Sequence, residues 1–472
     1  MRKWRGRLIA LGVTLAVLVP LAYLWATSLV PSTYSASEMG YADYGGGAAS
    51  GHQHHGGTSV ADLTGPRTGA ADVAVTLTAR KSSFTLASGE SVDGYTLNGS
   101  SPGPLIRAGV GELVEVTLVN ESVPDGATLH WHGIDVPNAE DGVAGVTQDA
   151  VPVGGRHVYR FRASVAGTYW YHSHQVSSEQ VRSGLFGTIV IGSPGRDVVA
   201  AIHTYDDRRT INGSTGSSRV EVPAGTTLRV RVVNTDNALI RTGLVGAPAK
   251  VVAVDGRELH GPTPTTDTFP LAAGARVDFE VVVPAGGVRL DAGGVSLRIG
   301  GDGPDGSLSS ATIDLLTYGT PAPLGLDVAH PDRVFEYRIG RRPGFLDGVP
   351  GLWWTINGHK FPDVPMFMVA SGDVVKMTIS NTSGQSHPMH LHGHHAIVLS
   401  RNGVAASGTP WWVDTLEVDD GETYEIAFLA DNPGVWMDHC HNLPHASQGL
   451  MTHLMYEGVS TPYKISSVNQ PE

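Results

Sequence analysis

The run His439-Cys440-His441-Asn442-Leu443-Pro444-His445 sets one thiol among three imidazoles. Cys440 is the single cysteine of a 472-residue chain, so it has no intrachain disulfide partner. A thiolate with imidazoles close by is the ligand set of a copper electron-transfer site. Four His-x-His pairs accompany it: His130 and His132, His172 and His174, His390 and His392, His439 and His441. Residues two apart on a strand share a face, so each pair presents two imidazoles side by side. Eight imidazoles with no carboxylate or second thiolate among them suit several copper ions. Cys440 lies between His439 and His441, so its side chain faces the other way and can serve a separate centre. His387 and His445 are the candidates to complete a Cys-His-His set there.

The elements that carry these residues repeat. Thr96-Leu97-Asn98-Gly99 returns as Thr210-Ile211-Asn212-Gly213 and as Thr355-Ile356-Asn357-Gly358. Each is followed by a run that opens on Gly and closes on Asn nine residues later: 111–120, 225–234 and 372–381. Apolar residues alternate within the runs, as in Leu228, Val230 and Val232, which predicts half-buried strands. Three related β-sandwich domains follow, over 72–195, 196–325 and 326–472. In the first and third, a glycine precedes the second His-x-His by five residues, Gly167 before His172 and Gly434 before His439. The same two positions of the repeat therefore carry the histidines in both domains. Ser173 stands in the first where Cys440 stands in the third, so only the third can hold a thiolate centre. The middle domain has no His-x-His and reads as a copper-free structural spacer.

Composition agrees with an all-β chain: 60 Gly, 29 Pro and 16% charged residues. A net charge of -13 argues against a nucleic-acid partner. Arg2, Lys3, Arg5 and Arg7 precede an uncharged run from Leu8 to Val30, long enough to span a bilayer. This predicts a membrane anchor or signal segment over 1–37, with the bulk of the chain outside the cytoplasm. A cleaved signal would release the protein, with Ser35-Ala36-Ser37 as a weak cleavage candidate. Residues 38–71 read as a flexible Gly/Ser/His linker. Within it, Gly51-His52-Gln53-His54-His55-Gly56 is a solvated tract or a weak copper collector.

The four motifs, in this order and at these separations, resemble those of the multicopper oxidases of the laccase type, over about residues 72 to 460. That resemblance implies three cupredoxin-like domains and four coppers. It places a type 1 copper on His387, Cys440 and His445, and a type 2 copper on His130 and His390. A type 3 pair would take His132, His172, His174, His392, His439 and His441. A substrate would give up electrons singly at type 1, and dioxygen would be reduced to water at the trinuclear cluster. Many bacterial members carry a weak axial Met ten residues after the Cys. Here that position is Leu450, followed by Met451, so a three-coordinate type 1 site of raised potential is expected. Asp141 resembles the family's cluster carboxylate, with proton relay as its expected role. The usual second acid is replaced by Ala446; Asp438 is a candidate stand-in, and Asp414 is an acidic residue with no assigned role.

The electron donor is a phenol or aromatic amine, or else Cu(I) or Fe(II). The nine methionines form no dense cluster, and Met366, Met368, Met451 and Met455 read as core. A copper nitrite reductase is disfavoured by the third domain and the full histidine set. A copper-binding protein without turnover is separated from an oxidase by oxygen uptake. Both cluster-forming domains lie in one chain, so no oligomer is required.

Overall fold

A computed structural model describes residues 2–47, 57–192 and 195–472. The body is built of β-strands in three successive two-sheet units. In the first unit the strand Leu113–Asn120 sits between Val73–Thr85 and Arg156–Arg162, facing a sheet that contains His130–His132, Gly167–His172 and Phe186–Ile191. Its counterparts, Thr227–Asn234 and Val374–Asn381, sit alike in the second and third units. In all three, the unit's first strand runs parallel to the Asn-terminated strand.

Both repeated signals have a physical origin. Asn98-Gly99, Asn212-Gly213 and Asn357-Gly358 all have positive φ at both residues, the conformation a tight hairpin turn requires. Each Asn side chain also bonds a neighbouring strand. Asn98 Oδ1 accepts from Thr78 N–H at 2.7 Å, Asn212 Oδ1 from Ala201 at 2.8 Å and Asn357 Oδ1 from Arg338 at 2.8 Å. The strand-ending Asn120, Asn234 and Asn381 are fully buried and donate through Nδ2 to backbone carbonyls of segments packed beside them, among them Val151, Leu271 and Val418. A buried amide is kept where backbone groups would otherwise be orphaned.

The N-terminal helix, Arg2–Ala26, projects from the body and meets it near its C-terminal end at Trp25, and Trp4–Ala26 is long and apolar enough to cross a membrane. It ends four residues before the Val30 expected from hydropathy. Thr27 and Ser28 hydroxyls bond back to the carbonyls of Tyr23 and Trp25 at 2.9 and 2.7 Å, which closes the last turn.

The expected flexible linker is corrected over its described parts. Tyr41–Asp43 adds a parallel strand to Pro365–Val369, and Thr58–Ser59 pairs with Val459–Ser460. Ala36, Met39 and Val60 are buried in the core of the third unit. The glycines here serve close approach: a Cβ on Gly57 would lie 2.2 Å from the Gly458 carbonyl oxygen. The histidine run 51–56 lies outside the described residues.

Candidate metal centres

Antiparallel pairing sets the four His-x-His segments in matched positions. His130 lies opposite His172 in the first unit, and His390 lies opposite His439 in the third. The units meet so that each histidine pair crosses to the other. The rings of His130 and His392 stack at 3.8 Å, and those of His132 and His390 at 3.7 Å. These stacks are related by the pseudo-twofold that exchanges the two units. His174 Nε2 approaches His439 Nε2 at 3.4 Å, His392 Nε2 approaches the same atom at 3.1 Å, and His130 Nε2 lies 3.4 Å from His390 Nε2. All eight rings are buried.

The outer nitrogens show which way the lone pairs point. His130 Nδ1–H donates to Asp141 O at 3.0 Å, His172 to Ser173 O at 3.0 Å, and His174 to Pro471 O at 3.1 Å. His390 donates to Asp414 O at 2.8 Å and His392 to Asp141 Oδ2 at 3.0 Å. His439 donates to Cys440 O at 3.2 Å, with Glu472 Oε1 3.1 Å from the same nitrogen. In these six the Nδ1 proton is fixed outward and the bare Nε2 turns inward. His132 is reversed: Nε2–H meets Asp414 Oδ1 at 3.2 Å, and Nδ1 has no partner. His172 Nε2 and both nitrogens of His441 are also buried without a partner. Burial first, and the crowd of imidazoles second, hold His132, His390, His392, His174 and His441 well below the usual histidine range. Neutral nitrogens aimed at one another, with no proton to share, make a donor set that a group of copper ions fits.

A second centre lies on the other face of the Val435–Cys440 strand. Cys440 Sγ is 3.6 Å from His387 Nδ1 and 3.8 Å from His445 Nδ1, and the two nitrogens are 3.2 Å apart. Ser383 Oγ, 2.8 Å from His387 Nε2, holds that ring. Burial pushes His387 down to about 3, His445 to about 4, and the Cys440 thiol well up, so a metal must displace the thiol proton. Met451 pairs with His439 and the Leu450 carbonyl accepts from Cys440 N–H. That register puts Leu450 on the Cys440 face and Met451 on the opposite one. Met366, Met368 and Met455 are buried in the same core cluster. Trp354 lies over the pair, its ring 4.8 Å from His387 and 4.5 Å from His445, with the Arg341 guanidinium 4.6 Å from the indole.

The carboxylates sort by contact. Asp141 bridges the units, with Oδ1 3.0 Å from His130 Nδ1 and Oδ2 3.0 Å from His392 Nδ1. Asp438 faces Tyr337 at 3.5 Å on the Cys440 side of its strand, away from the histidine cluster, and burial raises it to about 7. Asp414 touches the cluster through His132. Arg276 of the middle unit grips it with two bonds, 2.7 and 2.5 Å, and keeps it ionised despite its burial. The middle unit is thus more than the expected spacer. Its Gly274 also abuts the cluster at φ +86, where a Cβ would lie 2.8 Å from the His441 ring and 3.1 Å from that of His132. Sequence reasoning missed Arg276, Gly274 and Glu472. Glu472 is buried against His439, bonded by Ser177, and raised to about 8 by that burial. None of the three stands in a motif; only the fold brings them to the histidines.

Residues 78–196 match a family model described as multicopper oxidase, and residues 337–458 match a second model of that description; together they span just over half the chain. The multicopper oxidase MmcO of Mycobacterium tuberculosis is 28% identical, over 81% of this chain and 87% of its own. Laccase-1 of Melanocarpus albomyces is 28% identical, over 80% of this chain and 76% of its own. Among solved structures, the multi-copper oxidase of Pseudomonas thermotolerans superposes with a TM-score of 0.67 at 27% identity, over 81% of this chain and 98% of that one.

Proposed function

We propose a specific electron donor, ligand assignment and location for this chain, which belongs to the multicopper oxidase family and uses dioxygen as acceptor. Four coppers when bound would take electrons singly from a small aromatic donor at type 1 (His387, Cys440, His445) and pass four, with four protons, to dioxygen at type 2 (His130, His390) and type 3 (His132, His172, His174, His392, His439, His441), giving two waters.

The protein's part is to fix donors and protons. Asp141 receives the outer proton of His130 through its backbone carbonyl and that of His392 through Oδ2, which leaves both Nε2 atoms bare. It is our candidate for supplying protons beside the cluster, and Glu472 replaces Asp438 as the second. Arg276 keeps Asp414 ionised against His132. Cys440 and its neighbours join the two centres through adjacent residues of one strand.

The placement of Trp354 carries the choice of donor. The indole is only 4% exposed and packs against both histidines, so it walls the type 1 site with an aromatic, apolar edge beside which an aromatic donor would lie. The Arg341 guanidinium over that indole repels Cu(I) and Fe(II), and the core methionines offer them no thioether on the surface. Oxygen uptake with a dimethoxyphenol, Fe(II) and Cu(I) side by side tests this. The phenol should give the highest kcat/KM. A tenfold or greater preference for either metal ion would make the chain a metallo-oxidase instead, and no uptake with any donor would make it a copper-binding protein.

We place the body outside the cell membrane, anchored by Arg2–Ala26, with domain boundaries near 196 and 325. Basic residues precede the span, and Trp4 at one end with Tyr23 and Trp25 at the other mark its two interfaces. Residues following it are built into the third unit, which supports an uncleaved segment. Retention in the membrane fraction with an intact N-terminus is the expected result.

A further inference from the structure

The hairpin formed by Arg333–Leu346 and Val349–Ile356 joins two features of the molecule. Near its base Trp354 covers His387 and His445. Its turn, Asp347-Gly348, is bonded to the exit of the N-terminal helix. Asp347 N–H donates to Ser28 O at 2.9 Å, Gly348 N–H to Ser28 Oγ at 3.1 Å, and Val30 N–H to Asp347 Oδ1 at 3.2 Å. A Cβ on Gly348 would lie 2.8 Å from the indole nitrogen of Trp25, so the contact is close-packed.

Ser28 is two residues beyond the helix end at Ala26. Two residues span at most about 7 Å. If the helix crosses a bilayer, the hairpin turn has to lie at its outer surface. The residues there suit that position. Val349 and Leu352 are 55% and 57% exposed beside the turn. Arg338, Arg341 and Arg342 stand behind them on the same hairpin, within a chain of net charge -13. Apolar tips backed by arginines fit the boundary between acyl chains and anionic headgroups. The loop that follows His445 shares this face, since Leu346 Cδ2 lies 3.7 Å from where a Cβ on Gly449 would be.

We propose that this hairpin tip and the adjoining type 1 loop dock on the outer leaflet of an anionic phospholipid bilayer, so that donors reach the type 1 histidines from the lipid–water interface. The proposal rests on the anchor reading above. Its occupant is the bilayer, and its effect is to favour donors that partition into the interface.

The test uses the copper-loaded full chain in vesicles of phosphatidylcholine with a minority of phosphatidylglycerol. Leu352→Cys is labelled with a fluorophore, and so, separately, is Val404→Cys, which is exposed at the opposite edge of the same sheet. Cys440 is fully buried and stays unlabelled. A nitroxide on the lipid headgroup should quench the label at 352 several-fold more than that at 404. Equal quenching in chains that float with the vesicles overturns the docking and leaves the anchor standing. Chains that do not float overturn both.

Discussion

Arg276→Met should destabilise the copper-free protein by about 3 kcal/mol. The guanidinium is fully buried and donates to both oxygens of Asp414. Removing one partner of such a pair leaves the other charge buried, which costs about 3–5 kcal/mol. The lower figure applies because His395 still faces Asp414 Oδ2 at 3.3 Å. Burial opposes the charge on His395, but Asp135 and Asp414 together raise it to about 9 and keep it cationic. Asp414→Asn should cost a similar amount, since the carboxylate left to Arg276 would be Asp255, 3.5 Å away and itself disfavoured as a charge by burial. In the double variant neither charge is orphaned by the other. Its loss should match one single variant, a coupling of about 2–3 kcal/mol. Urea unfolding of the copper-free chain reads this directly. With a slope of about 1–3 kcal/mol/M, each single variant lowers the midpoint by about 1 M or more. Additive losses, or an Arg276→Met midpoint within error of the parent, would refute the assignment of Asp414 to the arginine.

Three further outcomes are expected. Leu450→Met should lower the type 1 potential by about 60 mV for each tenfold gain in preference for the oxidised ion; redox titration of the blue band reads it, and an unchanged potential means the side chain does not reach the centre. Asp141→Asn should slow oxygen consumption about 10–100-fold, as loss of a group that orients metal ligands does, while the blue band persists; full turnover would remove Asp141 from both its roles. Burial, then Asp419 and Glu422, raise the largely buried Glu417 to about 8. A carboxyl whose folded pKa is raised stabilises the fold below its unfolded value, and that stability is lost as pH climbs through 8. The loss is at most roughly 5 kcal/mol, at 1.36 per unit, and Glu417→Gln should flatten the stability profile between pH 5 and 8, while an unchanged slope would show that Glu417 is not its source.

Some of this molecule is legible in the sequence for a physical reason. Asn98, Asn212 and Asn357 each set a turn and bond a strand, so substitution breaks two things at once, and the repeat shows. Histidines two apart announce themselves because a strand has a period of two. Arg276 and Glu472 carry no such local signature. Their partners, Asp414 and His439, are remote in sequence, and a lone Arg or Glu looks like surface. The linker misled for a related reason. Its glycines suggest freedom, but Gly57 is small so that two backbones can touch.

His130 and His390 are 260 residues apart, and their bare nitrogens lie 3.4 Å apart. Whatever binds both ties a very long loop. On the loop-closure model such a tie removes unfolded-state entropy on the order of 5 kcal/mol. Exported proteins commonly obtain their covalent staples from disulfides. With one cysteine and none to pair it, this chain gains a comparable cross-link from its metal site, so loading it should also make the chain harder to unravel.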